Sequence, residues 1–228
     1  MSRGTKYLLV FSIFFLMPSW SISQNPQLHT KNGKRFPTVV FTSVLWTADP
    51  SYYSVAIDSM GAATYLSAPN SIEKTGVPYT VEFQVSDRTR RITFTVAQRL
   101  DFFAGDPALP TPSPDRGSVR TLTYTDGYFN NQFTYGTPSN PDLDELTSVF
   151  EELSETFESG RRLAYFQEHD KNSIAAELQQ LNARAERHRA RELQALIPIL
   201  RRLAADQHLA TATRNEAGTL LQLAQHWR

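Results

Sequence analysis

The hydrophobic period changes once along this chain, near residue 140, and that change limits the folds it can reach. From Phe36 to Tyr135 apolar residues mostly recur at every second position. Tyr53, Val55 and Ile57 alternate with Ser54, Ala56 and Asp58, and Tyr79, Val81, Phe83 and Val85 alternate with Thr80, Glu82, Gln84 and Ser86. Period two places every apolar side chain on one face of a strand, so these runs predict half-buried β-strands. From Asn140 onward the spacing becomes three and four: Leu143, Leu146, Phe150, Leu153 and Phe157 fall on one stripe of an α-helix. The fold class expected is α+β: an antiparallel sheet of about five to six strands with one helix inserted, followed by an all-helical C-terminal half.

Turn chemistry sets the joints. Asp58-Ser59-Met60-Gly61 reads as a turn between strands. Asp126-Gly127 between 121–125 and 128–135 predicts a tight type I′ hairpin, because glycine supplies the positive φ. Asp87 is placed to cap the inserted helix, whose stripe is Ile92, Val96, Leu100 and Phe103. A loop from Gly105 to Gly117 carries Pro107, Pro110, Pro112 and Pro114 and reads as an extended, disordered connector.

In the second half, Asn140 or Asp142 caps the long helix, Pro141 suits its first turn, and Gly160 is expected to stop it. Arg161 to Phe166 adds another turn or two. Ile174, Leu178, Leu181 and Ala185 mark the next helix, and Leu193, Ile197, Leu200 and Ala204 another, in which Pro198 predicts a kink. Leu209, Thr213, Ala217, Leu220 and Ala224 line the last. The long helix is expected to lie with the inserted helix on one face of the sheet and to show an acidic outer face: Asp144, Glu145, Glu151, Glu152, Glu155 and Glu158.

The first residues speak to destination. Arg3 and Lys6 precede an apolar block from Tyr7 to Met17, and Ser21-Ile22-Ser23 follows Pro18. A basic start, a short apolar centre and a small-x-small site make residues 1–23 a secretory signal peptide. Eleven residues, ten of them apolar, are too few for a span of about 20 residues. The expected organisation is signal peptide 1–23, disordered leader 24–35, sheet plus helix 36–139, and helical region 140–228. Localisation is expected to be exported, periplasmic or secreted, without a transmembrane segment after cleavage. The chain has no cysteine and no Asn-x-Ser/Thr acceptor, which fits a bacterial envelope or secreted protein that depends on packing alone. Without the signal, 21 basic residues face 23 acidic ones, which argues against nucleic acid as a bulk partner.

Motifs for chemistry are sparse. The five histidines form no His-x-x-x-His or His-x-His pair, and Glu168-His169-Asp170 points three ways on a helix. Asn140, Asp142 and Asp144 start like a calcium loop, but Glu145 stands where that loop needs glycine. Gly-x-Ser-x-Gly and the glycine-rich phosphate loops are missing, and no cofactor, metal or catalytic residue is assigned. Asp58, Glu82 and Asp101 are the carboxylates that a fold-assembled hydrolase could use. Arg184, Arg187, Arg189 and Arg191 form a basic run, with Arg184, Arg187 and Arg191 on one helical face. Those three are the candidate partner-binding face, toward an acidic helix of another envelope protein or an envelope polyanion. The alternatives are a solvated face laced by Glu186 and Glu192, or pairing with the acidic helix within the fold.

Two resemblances add to this reading. Gly61-Ala62-Ala63-Thr64-Tyr65-Leu66-Ser67, Gly76-Val77-Pro78-Tyr79-Thr80-Val81-Glu82-Phe83, Leu122-Thr123-Tyr124, and Leu146-Thr147 with Gly160-Arg161-Arg162-Leu163 resemble an uncharacterised group of exported soil-bacterial proteins. That resemblance implies export and an α+β body and assigns no chemistry. Ile197-Pro198-x-Leu200, Asp206, Arg214 and Ala217 through Leu221 resemble a single HEAT-type helical hairpin, with an Asp-to-Arg spacing two residues longer than that pattern. The expected function is a non-catalytic binding or interaction module of the bacterial envelope. The rivals are a carboxylate-dependent hydrolase of an extracellular or envelope polymer, and a structural or assembly protein acting through its charged helices; the oligomeric state stays open.

Overall fold

A computed structural model describes residues 30–31, 34–45, 48–68, 78–105 and 118–227. The expected signal peptide, most of the leader and the prolines of the Pro-rich loop lie outside them. Within the leader, β1 (Thr30–Lys31) pairs antiparallel with β2 (Lys34–Arg35).

The body is a six-stranded, fully antiparallel sheet. Its strands are β3 (Thr38–Leu45), β4 (Tyr52–Asp58), β5 (Ala62–Ala68), β6 (Tyr79–Gln84), β7 (Ser118–Thr125) and β8 (Asn130–Tyr135), in the order β6-β5-β4-β3-β7-β8. The first four form a meander, and the chain then crosses the sheet to add β7 on the free side of β3. Register sets one continuous apolar row: Phe41 faces Val55 on one side and Leu122 on the other, Val55 faces Tyr65, and Tyr65 faces Val81. Rows on either side carry Val39, Ile57, Ala63 and Tyr124, and Tyr53, Ser67 and Tyr135. Alternation is cleanest in β5 and β6, whereas Val40 and Ala56 are also buried on the opposite face of β3 and β4. At the β4–β5 turn, Asp58 Oδ1 accepts from the backbone N–H of Met60 (2.8 Å) and Ala62 (2.9 Å), and Gly61 takes φ +87°.

Helix α1 (Asp87–Arg99) bridges from β6 toward β7. Its cap is Ser86, one residue before the expected Asp87: the extended Ser86 backbone lets its Oγ accept from the Thr89 N–H at 3.2 Å. The buried stripe is Thr89, Thr93, Val96 and Ala97, with Ile92 and Leu100 half-buried at its edge. Helix α2 (Pro141–His169) packs beside α1 on the same face of the sheet. Asn140 caps it, accepting from Leu143 N–H at 2.8 Å. Phe150 stacks on Phe41 at 4.9 Å, and Phe157 meets Tyr65 at 5.2 Å and Phe83 at 4.5 Å.

Three further expectations change. Gly160 does not end α2, which runs on to His169. A Cβ at Gly160 would sit 2.5 Å from Leu196 Cδ2, so the glycine is a packing notch for a neighbouring segment. Pro198 makes no kink, because it falls in the first turn of α4 (Ile197–Ala205), where a missing N–H costs nothing. The β7–β8 connection is a four-residue turn over 126–129, not a two-residue one; Asp126 Oδ1 accepts from both Tyr128 and Phe129 N–H at 2.9 Å and stabilises the wider loop.

The remainder is helical: α3 (Ile174–Glu186), a 3₁₀ turn (Leu193–Leu196), α4, and α5 (Thr211–Gln225). Helix α4 packs on α5, α3 packs on α2 and α5, and one apolar core runs from Val39 and Phe41 in the sheet to Leu200, Leu220 and Ala224.

Candidate functional site

The arginines of the basic run do not share a face. Helix α3 stops at Glu186, Arg187 is its C-cap, and the chain reverses before Arg191. Arg187 is exposed, whereas Arg184 and Arg191 turn inward. Both Nε (3.0 Å) and a terminal nitrogen (2.8 Å) of Arg191 donate to Glu152 Oε2 on α2. Arg184 donates to Ser159 Oγ and lies 3.7 Å from Glu177 Oε1. Burial pulls its guanidinium below the ordinary value.

The acidic residues of α2 are the other half of this pattern. Asp142 and Glu145 hold Arg99 of α1 at 2.9 and 2.7 Å, and Glu151 holds Arg120 of β7 at 2.7 Å. Glu158, expected at the surface, is 3 % exposed and faces the sheet. Its Oε1 accepts from Tyr65 Oη (2.7 Å) and Ser67 Oγ (2.6 Å), and its Oε2 from Arg161 Nε (2.6 Å). Asp49 stands 3.5 Å from the other side of Arg161. Burial, followed by the Glu158 charge, drives the Tyr65 hydroxyl far upward, so it stays a donor. On the far side of α2, Arg162 donates to both Glu177 oxygens, at 2.8 and 2.9 Å. Burial alone would raise the Glu177 carboxyl, but hydrogen bonds from Arg162 and Ser159 and the nearby Arg184 charge outweigh it and hold it below the usual range.

The carboxylates considered for hydrolysis do not converge. Asp58 is engaged in its own turn, Glu82 is exposed on edge strand β6, and Asp101 is exposed in the turn after α1. Asn140 and Asp142 are committed to the α2 cap and to Arg99.

Another place does gather unlike groups. The start of α1, the reversal over 187–192 and the end of α5 enclose a cleft of about 320 Å³ lined by Arg88, His188, Glu192, Leu223, His226 and Trp227. Glu192 is its floor. It is 1 % exposed and left-handed (φ +58°, ψ +36°), which swings its carboxylate toward α1. There it accepts from Ser86 N–H at 3.0 Å, Ser86 Oγ at 2.8 Å, Thr89 Oγ1 and Gln194 Nε2. An anion at a helix N-terminus with its lone pairs filled by donors is stable and spent. The rim differs. Arg88 is exposed and, among the described residues, faces no carboxylate partner. His188 is exposed at φ +58°, with its ring centre 6.4 Å from that of Trp227. His226 Nδ1 lies 2.9 Å from the Gln222 carbonyl, and Leu223 is 39 % exposed. A cleft with a filled carboxylate below and Arg88, two imidazoles and an indole around its rim can hold a small anionic group with an apolar neighbour.

None of these rim residues is a sequence candidate. His188 and His226 lack a spacing motif, and Arg88 and Trp227 lie far apart in the chain. Their one local trace is Ser86 at a strand-to-helix junction. Compared with known proteins, the chain matches no family model and no curated protein.

Proposed function

We propose that this chain is an exported bacterial envelope protein that works by binding, through the cleft between α1, residues 187–192 and α5, an acidic segment of a partner protein. The observation that carries this reading is the contrast between arginines. Arg99, Arg120, Arg162 and Arg191 each hold a carboxylate of this chain, while Arg88 stands exposed at a cleft mouth beside His188, His226, Trp227 and Leu223. A partner side chain of Glu or Asp next to a Leu or Phe matches that rim in charge and in polarity. The exported location rests on residues 1–23 and on the absence of cysteine.

Titration calorimetry with an acidic peptide containing a leucine tests this. The chain should bind it, Arg88→Glu should weaken binding about tenfold or more, and Arg88→Lys should retain most of it. Equal affinity of wild type and Arg88→Glu would overturn the assignment.

A further inference from the structure

Three large apolar side chains stand mostly in water among the described residues, and all three share one end of the sheet. Met60 is 63 % exposed, Tyr128 96 % and Phe129 63 %. Register places them: Thr38, which opens β3, pairs with Asp58 at the end of β4 and with Thr125 at the end of β7. The β4–β5 and β7–β8 turns therefore project in the same direction. Three strand spacings separate them, about 14 Å.

Both turns are built to hold these side chains out. Asp126 Oδ1 takes the N–H groups of Tyr128 and Phe129, and Gly127 at φ +94° closes that loop. On the other turn Asp58 Oδ1 takes the Met60 N–H, Gln84 Nε2 donates to the Met60 carbonyl at 2.9 Å, and Arg90 reaches the Ser59 carbonyl at 3.5 Å. Two hydrogen-bonded turns thus present uncovered thioether, phenol and phenyl groups. Arg91 stands exposed near the start of α1, which begins at this same end because Gln84 pairs with Ala62.

We infer that this end of the sheet docks on a lipid surface, with Met60, Tyr128 and Phe129 entering the headgroup and upper acyl region and Arg91 near the lipid phosphates. A folded protein partner would need a continuous complementary face. Separate convex tips match a fluid phase that closes around each one, and Tyr and Phe suit the polar–apolar boundary. This surface is independent of the cleft.

The test uses the chain from Gln24, which keeps every described element and omits the apolar block. It should sediment with vesicles of phosphatidylethanolamine and phosphatidylglycerol. The triple variant Met60→Ser, Tyr128→Ser, Phe129→Ser should partition at least about tenfold less, with an unchanged thermal midpoint and unchanged acidic-peptide binding. A Tyr128→Trp variant should shift its emission to shorter wavelength on adding vesicles and be quenched by brominated acyl chains. Failure of the wild type to sediment, equal partition of the triple variant, or an indole that stays in water in the Tyr128→Trp variant would each overturn the inference. The peptide measurement separates that failure from failure of the cleft assignment.

Discussion

Single side chains decide several features that spacing rules misplace. Gly160 looks like a helix stop because glycine usually is one, yet here the missing Cβ admits Leu196. Gly160→Ala should lower the thermal midpoint, because overpacking costs about 1–3 kcal/mol against a helix-propensity gain of about 1. In a Leu196→Ala background the clash is gone and the same substitution should stabilise; a reversal of sign in the double-mutant cycle checks this. Glu158 is the opposite case, a charge that periodicity assigns to water and the fold buries. Glu158→Ala removes the carboxylate 2.6 Å from Arg161, which is 2 % exposed, and should cost about 3–5 kcal/mol by denaturant titration. Glu177 sets an acid limit. Its folded carboxyl is held below the unfolded value of about 4.3, so its contribution is complete above that pH and disappears as pH falls through the folded value. Glu177→Gln should lower stability at pH 7 by about 2 kcal/mol and flatten the acid side of the melting curve below about pH 4.3. None of these roles can be read from sequence, because each depends on a residue far away along the chain.

Elements were far more legible than residues. The alternation at 79–85 and the stripe at 143–157 survive intact, since burial on one face is a local constraint written at fixed spacing. What the pattern misjudges is extent and termination. Helix α2 has 29 residues, about 43 Å at 1.5 Å per residue. Its first part lies on the sheet through Phe150 and Phe157, and its last part leaves the sheet to meet α3 and Leu196. Phe150→Ala should cost about 3–5 kcal/mol, because it removes the ring stacked on Phe41 at the sheet centre; a thermal melt without loss would contradict that packing. The acidic stretch of the same helix reads as an exposed outer face on composition, with pairing to the basic run as one alternative. In place it is a row of clamps, tying α1 through Arg99, β7 through Arg120 and the 187–192 reversal through Arg191. Charge runs declare their sign in sequence, but not whether their partner lies inside the chain.

At the scale of the whole molecule, the change of period near residue 140 marks a change of architecture without dividing the core. Buried apolar residues continue from Phe41 through Phe157 and Leu163 to Leu220. Unfolding should therefore be one transition, with the calorimetric enthalpy equal to the van't Hoff value; two resolved transitions would mean that sheet and helices are separate units. The candidate cleft is a product of this scale alone, because Ser86 and Glu192 meet across more than a hundred residues. Strand order carries one more implication. The first long strand, β3, lies inside the sheet, and its second neighbour is β7. While the polypeptide is emerging, the β3 to β6 meander can assemble, but one flank of β3 keeps its peptide groups bare until synthesis has passed Thr125. A nascent chain halted before that point would offer a Val- and Phe-rich strand to any similar neighbour, so a holding chaperone is needed most during that interval.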